Sequence, residues 1–360
     1  MYGDIRILLL ADSHLGFDLP VRPRSRRRRR GYDFLANYAT ALEPALRGEV
    51  DLVVHAGDLF DRPSVVPSIA YQAYEPLKRV ADAGVPVFIV PGNHERSRLP
   101  HAALASHPAI HVFDRPRTFV AQVRDTAVSL SGFPYARREV RTRFLDLLEA
   151  TAWRGHHAAH RLLCIHHCVE GATVGPANFT FTTAADVIRV RDIPADFTAV
   201  LSGHIHRQQV LMANRGPASV PVLYPGSIER TSFAELGEPK GFMVVSLGED
   251  ARWERRHLPA RPMVRRDIDA SNMNASRLDA VIRGAIAESS RDAVLSIRIA
   301  GVLTPEHRHA FSAARLRDVI PPTMNIEVLP VDGFVSREHL VSRRAERGAS
   351  AQLSLYECAV

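Results

Sequence analysis

The chain has little of what would mark a disulfide-bonded, membrane or thiol-dependent protein. Its 360 residues include three cysteines, Cys164, Cys168 and Cys358, and no Cys-x-x-Cys pair. A disulfide framework is therefore not expected, and a reducing compartment is. Long apolar runs are also missing: no window approaches the roughly 18 apolar residues of a membrane helix. The opening "MYGDIRILLLADSH" has too short an apolar run for a secretory signal. These absences point to a cytoplasmic protein with no membrane partner. No phosphate-binding loop, coiled coil or internal repeat is found. Lysine is nearly absent, since of 46 basic residues only Lys78 and Lys240 are lysine. The formal net charge of +7 favours a polyanionic partner without establishing one. The arginine skew carries little weight, because a GC-rich genome produces it as readily as phosphate recognition does.

What is present is an ordinary globular composition, 46% hydrophobic and 24% charged, in a chain long enough for one large domain and a smaller one. Five apolar, β-branched-rich runs recur: "IRILLLA", "VDLVVHAG", "VPVFIV", "RLLCIHH" and "FTAVLSG". Helical patterns such as "YDFLANYATALEPALR" and "SIAYQAYEPLKRVADAG" lie between several of them, which argues an α/β domain. A strand-like pair, "VPVLYPGS" and "KGFMVVSLG", closes this domain, whose expected extent is residues 1–257. The proline-bearing "HLPARPM" reads as a linker. A βαβαβ unit follows, expected over residues 258–335, with Thr304 as the N-cap and Pro305 at the first position of its second helix. Residues 336–360 read as a polar, Arg-rich tail.

The chemistry sits where the strands run out. The first ends in "ADSHLG", with Asp12 and His14; the second in "HAGDLFDR", with Asp58 after Gly57. The third ends in "VPGNHER", with Asn93 and His94; the fourth in "CIHHC", with His166; the fifth in "SGHIH", with His204 and His206. Side chains two apart in extended chain point the same way, and open α/β sheets bind ligands beyond the carboxyl ends of their strands. Each motif alone is more often a turn than a site. Five in this order, each ending an apolar run, specify a metal centre. Carboxylates, imidazoles and one amide, without thiolate, suit two divalent cations. Asp58 is the carboxylate placed to bridge them, and two bridged metals activate a water for in-line phosphoryl displacement.

Other signals are set aside. His55 reads as a packed core residue, and His167 points away from His166. His156, His157 and His160 read as a solvated helix face. Cys164 alternates into the core, and a thiolate pair would spoil a hard-ligand site. Arg26, Arg27, Arg28, Arg29 and Arg30, in "RSRRRRRGYDF", form the strongest charge cluster and are candidates for nucleic-acid contact.

The motifs "DSH", "GDLFD", "GNHE", isolated His166 and "GHIH" resemble the series of the calcineurin-like metallophosphoesterases. "DSHLG", "HAGDLFDRPS" and above all "YPGSIERTSFAE" narrow the resemblance to the SbcD-type double-strand-break repair exonuclease subunit and its relatives. The resemblance covers roughly residues 5–335. It implies a metallophosphoesterase β-sandwich flanked by helices, with the small βαβαβ unit as a capping domain. It implies one metal held by Asp12, His14, Asp58 and His206, and a second held by Asp58, Asn93, His166 and His204. His94 would face the phosphate and assist the leaving oxygen. Some archaeal relatives carry a second catalytic histidine three residues after the bridging aspartate, where this chain has Asp61. Arg230, in the last motif, joins the candidate DNA contacts.

The implied function is a manganese-dependent DNA phosphodiesterase acting in DNA repair, an exonuclease with endonuclease activity on ends and hairpins. The implied setting is the nucleoid, the implied assembly a homodimer, and the implied partner an SbcC-type ATPase with a long coiled coil. Two alternatives stand beside it. One is a metallophosphoesterase of cyclic nucleotides or small phosphoesters; the other is a non-catalytic scaffold, against which the full ligand set argues.

Overall fold

The computed structural model describes residues 4–19, 29–213 and 219–331. Cys358, Arg26, Arg27, Arg28 and the tail 336–360 lie outside the described residues. The chain divides into two compact units, with the main boundary between Ala260 and Arg261.

In the first unit, β1 (Ile5–Leu10), β2 (Leu52–His55), β3 (Val87–Ile89) and β4 (Ile110–Val112) pair in parallel. Parallel strands covered on both faces are apolar throughout, which is why "ILLL" and "LVVH" stand out in the sequence. Helices α1 (Gly31–Leu46) and α2 (Pro67–Asp82) connect them, and Pro67 opens α2, where the missing N–H costs nothing.

The second half of the unit holds β5 (Arg117–Val123), β6 (Thr126–Gly132), α3 (Val140–Glu149) and β7 (His160–Ile165). Four two-residue strands follow: β8 (Cys168–Val169), β9 (Thr173–Val174), β10 (Phe179–Thr180) and β11 (Val187–Ile188). Then come β12 (Ala199–Ser202), β13 (Gln209–Ala213), β14 (Val220–Tyr224), β15 (Gly241–Leu247) and β16 (Ala251–His257). Two six-stranded sheets result, ordered β16-β15-β1-β2-β3-β4 and β13-β14-β12-β7-β6-β5.

Side-chain alternation makes them a sandwich. Ile5, Ile7 and Leu9 of β1 meet Leu130, Leu162, Cys164 and Leu201 of the other sheet. Leu8 and Leu10 face the opposite way, onto Phe34, Tyr38, Ala73 and Leu77 of α1 and α2. Leu163 and Ile165 of β7 likewise face Phe144 and Leu148 of α3. The layers are helix, sheet, sheet, helix, the flanked sandwich that the resemblance implies. β1, β2 and β3 run parallel in one sheet and β7 and β12 in the other, and the bond from His166 Nδ1 to Ala56 O brings their carboxyl ends together at one edge.

In the second unit, β17 (Met263–Asp269), β18 (Val294–Ala300) and β19 (Asn325–Val331) form a parallel sheet. α4 (Ala275–Glu288) packs Leu278 and Ile282 on Leu295, Ile297 and Ile299. Arg261, 8% exposed, donates to Asp292 O and Asn325 Oδ1 and so ties this sheet's ends together. Thr304 caps α5 (Pro305–Ala310), and His307 completes a capping box with it. The single second helix expected over this stretch is two short ones, with Ser312 preceding α6 (Ala313–Leu316) and its side chain making no cap hydrogen bond. Phe311 leaves helical geometry at φ −109°, and Ser312 restarts the helix from an extended conformation. A second correction concerns His156, His157 and His160. They lie after α3 and a short 3-10 turn, at the entry to β7, and not on a helix face.

Candidate metal centre

Each strand end turns its residues inward through an unusual backbone. Asp12, His14, Asp58 and His204 have φ of 50°, 43°, 51° and 80°. Such left-handed geometry costs L-residues about 1–2 kcal/mol each, and it concentrates where a site fixes the chain. The loops are laced together, since Asp12 N donates to Gly57 O and His14 N to Asp58 O. Two glycines make room. A Cβ on Gly57, at φ +103°, would stand 2.0 Å from His166 Nδ1, and one on Gly92 would stand 2.1 Å from Asp58 Oδ1.

The result brings all eight expected residues to one place. Three overlapping groups have their potential ligand atoms within 4.8 Å of one another: Asp12, His14 and His206; His14, Asp58 and His94; and Asp58, His166 and His204. Asp58 belongs to two of them. Its Oδ2 lies 3.2 Å from His166 Nε2 and 4.0 Å from His14 Nε2. Asn93 Oδ1 lies 2.9 Å from both His166 Nε2 and His204 Nδ1. His14 Nε2 and His206 Nε2 face each other at 3.0 Å.

This geometry fits bound cations. His166 Nδ1 must donate to Ala56 O, 2.8 Å away, because a carbonyl only accepts. Its Nε2 is thereby aimed at two oxygens, Asp58 Oδ2 and Asn93 Oδ1. Three electron-rich atoms converging need a proton or a cation among them, and a backbone carbonyl orienting the far nitrogen is the usual support for a metal-binding imidazole. Burial opposes charge on His166, yet the carboxylates of Asp58 and Asp12 outweigh it and push its pKa up to about 9. Asp58 is held well below the carboxylate range by His166, His14 and His94, against burial. His204 is pushed down to about 3 by burial and by His166. Asp12 Oδ1 accepts from His204 N at 2.9 Å, while its Oδ2 is buried with no hydrogen-bond partner.

His94 is held differently. Its backbone N–H donates to Asp58 Oδ1 at 3.0 Å, and its Nδ1 donates to Asp61 O at 2.9 Å, so Nε2 is the atom left to meet a substrate. Asp61 offers its carboxylate to His14 Nδ1 at 3.6 Å.

Several supporting residues escaped the sequence reading. Glu95, 1% exposed, accepts from Phe60 N at 2.7 Å and Gly92 N at 2.6 Å, joining the loops of Asp58 and Asn93. Burial and neighbouring Asp58 push its pKa up to about 8. "GNHE" contained the residue, but an acid in a polar turn reads as solvated. Tyr135 stacks on His167 and tilts against His204 at 5.7 Å. The stretch "YPGSIERT" braces the His206 loop. Ser227 N donates to His206 O, and Thr231 Oγ1 lies 3.4 Å from His206 Nδ1.

None of the residues set aside belongs to these ligand groups. His55 is buried and bonds Ser13 Oγ at 2.8 Å. His167 Nε2 accepts from Ala136 N at 3.0 Å. Cys164 and Cys168 are free and buried. The Arg230 guanidinium donates to Glu238 O at 3.1 Å, and Arg29 and Arg30 belong to the second unit. Among the described residues, no helix is long and apolar enough to cross a membrane.

Comparison with known proteins matches these features. The family model described as calcineurin-like phosphoesterase matches residues 5–208. The DNA double-strand break repair protein Mre11 of Aeropyrum pernix is 28% identical over 297 residues, 78% of this chain and 67% of that protein. The Haloferax volcanii protein of the same name is 29% identical over 322 residues, 85% of this chain and 64% of its own. The D component of the nuclease SbcCD of Bacillus subtilis is 27% identical over 293 residues, 72% of each chain. The chain thus spans about two thirds of the length of these archaeal relatives. With more than half its length under the family model and the family's motifs gathered at one edge of its sandwich, the chain belongs to the calcineurin-like phosphoesterases.

Proposed function

We propose that this protein is a manganese-dependent DNA phosphodiesterase that trims DNA ends in repair, as an exonuclease that also cuts near ends and hairpins. The observation that carries the reading is the chain of overlapping ligand groups, in which His14 links Asp12 and His206 to Asp58, and Asp58 links that set to His166 and His204. Asp12, His14, Asp58 and His206 would hold one divalent ion, and Asp58, Asn93, His166 and His204 the other. Two ions so held would supply an activated water and a clamp on the phosphoryl oxygens. Asp58, common to both sets, would set the spacing of the two positions. Ala56 O keeps the His166 ring turned inward, and Asp12 Oδ1 holds the backbone N–H of His204. His94, with Nδ1 committed to Asp61 O, holds its Nε2 proton for the departing oxygen.

DNA as substrate is supported by the names of the relatives and by the motif "YPGSIERTSFAE", whose Ser227 N–H bonds His206 O. Manganese suits the oxygen and nitrogen donor set. The second unit would act as a capping domain. The name of the Bacillus subtilis relative implies a companion to its D component; an ATPase with a coiled coil, a homodimer and a nucleoid setting complete the proposal.

The test is the purified chain with manganese on end-labelled linear duplex DNA, beside p-nitrophenyl phosphate and cyclic nucleotides. Degradation from the ends, abolished by chelation and restored by manganese, is expected. Turnover of the small esters with DNA left intact would overturn the reading.

A further inference from the structure

Lys240, one of the chain's two lysines, is 1% exposed. A buried ammonium is costly unless its protons are well met. Here Nζ donates to the backbone carbonyl of His206 at 3.1 Å and lies 3.5 Å from Glu238 Oε2. The same carbonyl accepts from Ser227 N at 3.1 Å. Glu238, 8% exposed, is held in turn by Arg207 Nε at 2.9 Å. Gly226, at φ +77°, permits the close approach, since a Cβ there would stand 2.8 Å from His206 O. Both residues that flank this peptide bond are thus gripped: the ring of His206 faces His14, and the side chain of Arg207 is tied to Glu238.

A further cation near a site built for divalent ions is electrostatically unfavourable, so its charge is not there to attract metal. Its geometric consequence is specific. It pins the peptide that carries His206, and His206 belongs to only one ligand group, with Asp12 and His14. The group of Asp58, His166 and His204 makes no use of this carbonyl. We infer that Lys240 is a positioning residue for one of the two metal positions, holding the His206 peptide so that the imidazole completes the Asp12–His14 group. The inference rests on the two-ion reading above. It extends that reading by making occupancy of the two positions separable through a residue that touches neither ion.

The experiment compares wild type, Lys240→Met and the double variant Lys240→Met/Glu238→Gln. Manganese binding is followed by titration and by bound metal per chain, and melting is recorded in chelator. Glutamine keeps the Oε1 acceptor for Arg207 while removing the buried charge that Lys240→Met would leave without its lysine. Wild type should bind two ions. Both variants should keep one ion at near wild-type affinity and bind the other roughly 10- to 100-fold more weakly, as loss of an outer support does elsewhere. The double variant should melt closer to wild type than the single. Two tight ions in Lys240→Met would overturn the inference, as would their full return in the double variant, which would reduce Lys240 to charge balance. Fewer than two ions in wild type would overturn the two-ion reading itself.

Discussion

His166 Nε2 and Asp58 Oδ2 stand 3.2 Å apart in a pocket where both side chains are at most 2% exposed. Each lies at the end of a strand from a different sheet, so the sandwich itself sets this spacing. Replacing Asp58 with Asn should therefore disturb both ligand groups at once. It keeps the volume but removes the charge and replaces one oxygen with an NH₂ that repels a cation. Bound manganese should fall below one ion per chain and nuclease activity should vanish. Two retained ions would show that Asp58 does not bridge.

Gly57 tests the same contact sterically. In Gly57→Ala the new Cβ would stand 2.0 Å from His166 Nδ1 and the residue would keep φ +103°. Strain and overpacking together should cost on the order of 2–5 kcal/mol. Gly84→Ala is the control, since φ is +83° there and nothing lies within 4 Å of the added Cβ. It should cost about 1 kcal/mol from backbone strain alone. Urea unfolding of the two apo variants measures the difference, and equal losses would show that the His166 contact is soft.

The ligand positions were legible because each follows a buried parallel strand, whose uninterrupted apolar run marks its own end. Other elements lacked that contrast. β16, "ARWERRH", is an edge strand with most residues exposed, so its polar sequence carries no strand signal. β6 buries Ser129 and Ser131, and Thr118 satisfies Ser131 from the neighbouring strand at 2.8 Å, a pairing visible only once the hairpin exists. Glu95 and Lys240 are polar residues in loops, and their burial is a property of the assembled site. Local pattern reveals which strands end in ligands; it does not reveal which loop residues brace them.

Away from the site, Glu49 makes stability depend on acid. Arg256, at 2.7 Å, and Arg47 hold its carboxyl down to about 2. A carboxylate whose folded pKa is depressed stabilises the fold above its ordinary value near 4.5, and that contribution fades as pH falls through about 2. Glu49→Gln should lower the melting temperature at pH 7 and much less near pH 2. Because the pair is partly exposed, 0.5 M salt should shrink the neutral-pH difference. A difference that grows on acidification would contradict the assignment.

His94 separates acid catalysis from metal binding. Its Nδ1 is committed to Asp61 O at 2.9 Å, and its ring sits edge-on to His14 at 4.5 Å, beside the ligands. That proximity also puts it in a potential ligand group with His14 and Asp58, so the two roles need an experiment to divide them. A general acid matters in proportion to how badly the leaving group needs a proton, and is worth roughly 10²–10⁴-fold on an alkoxide. His94→Gln should keep both manganese ions and its DNA affinity, and should cleave phosphodiester DNA slower by about 10²–10⁴-fold. On a p-nitrophenyl ester of thymidine 5′-monophosphate, whose leaving group departs as a stable anion, the loss should be far smaller. If the variant sheds an ion, or is equally slow on both substrates, His94 serves as a ligand or a spacer and the proton must come from elsewhere.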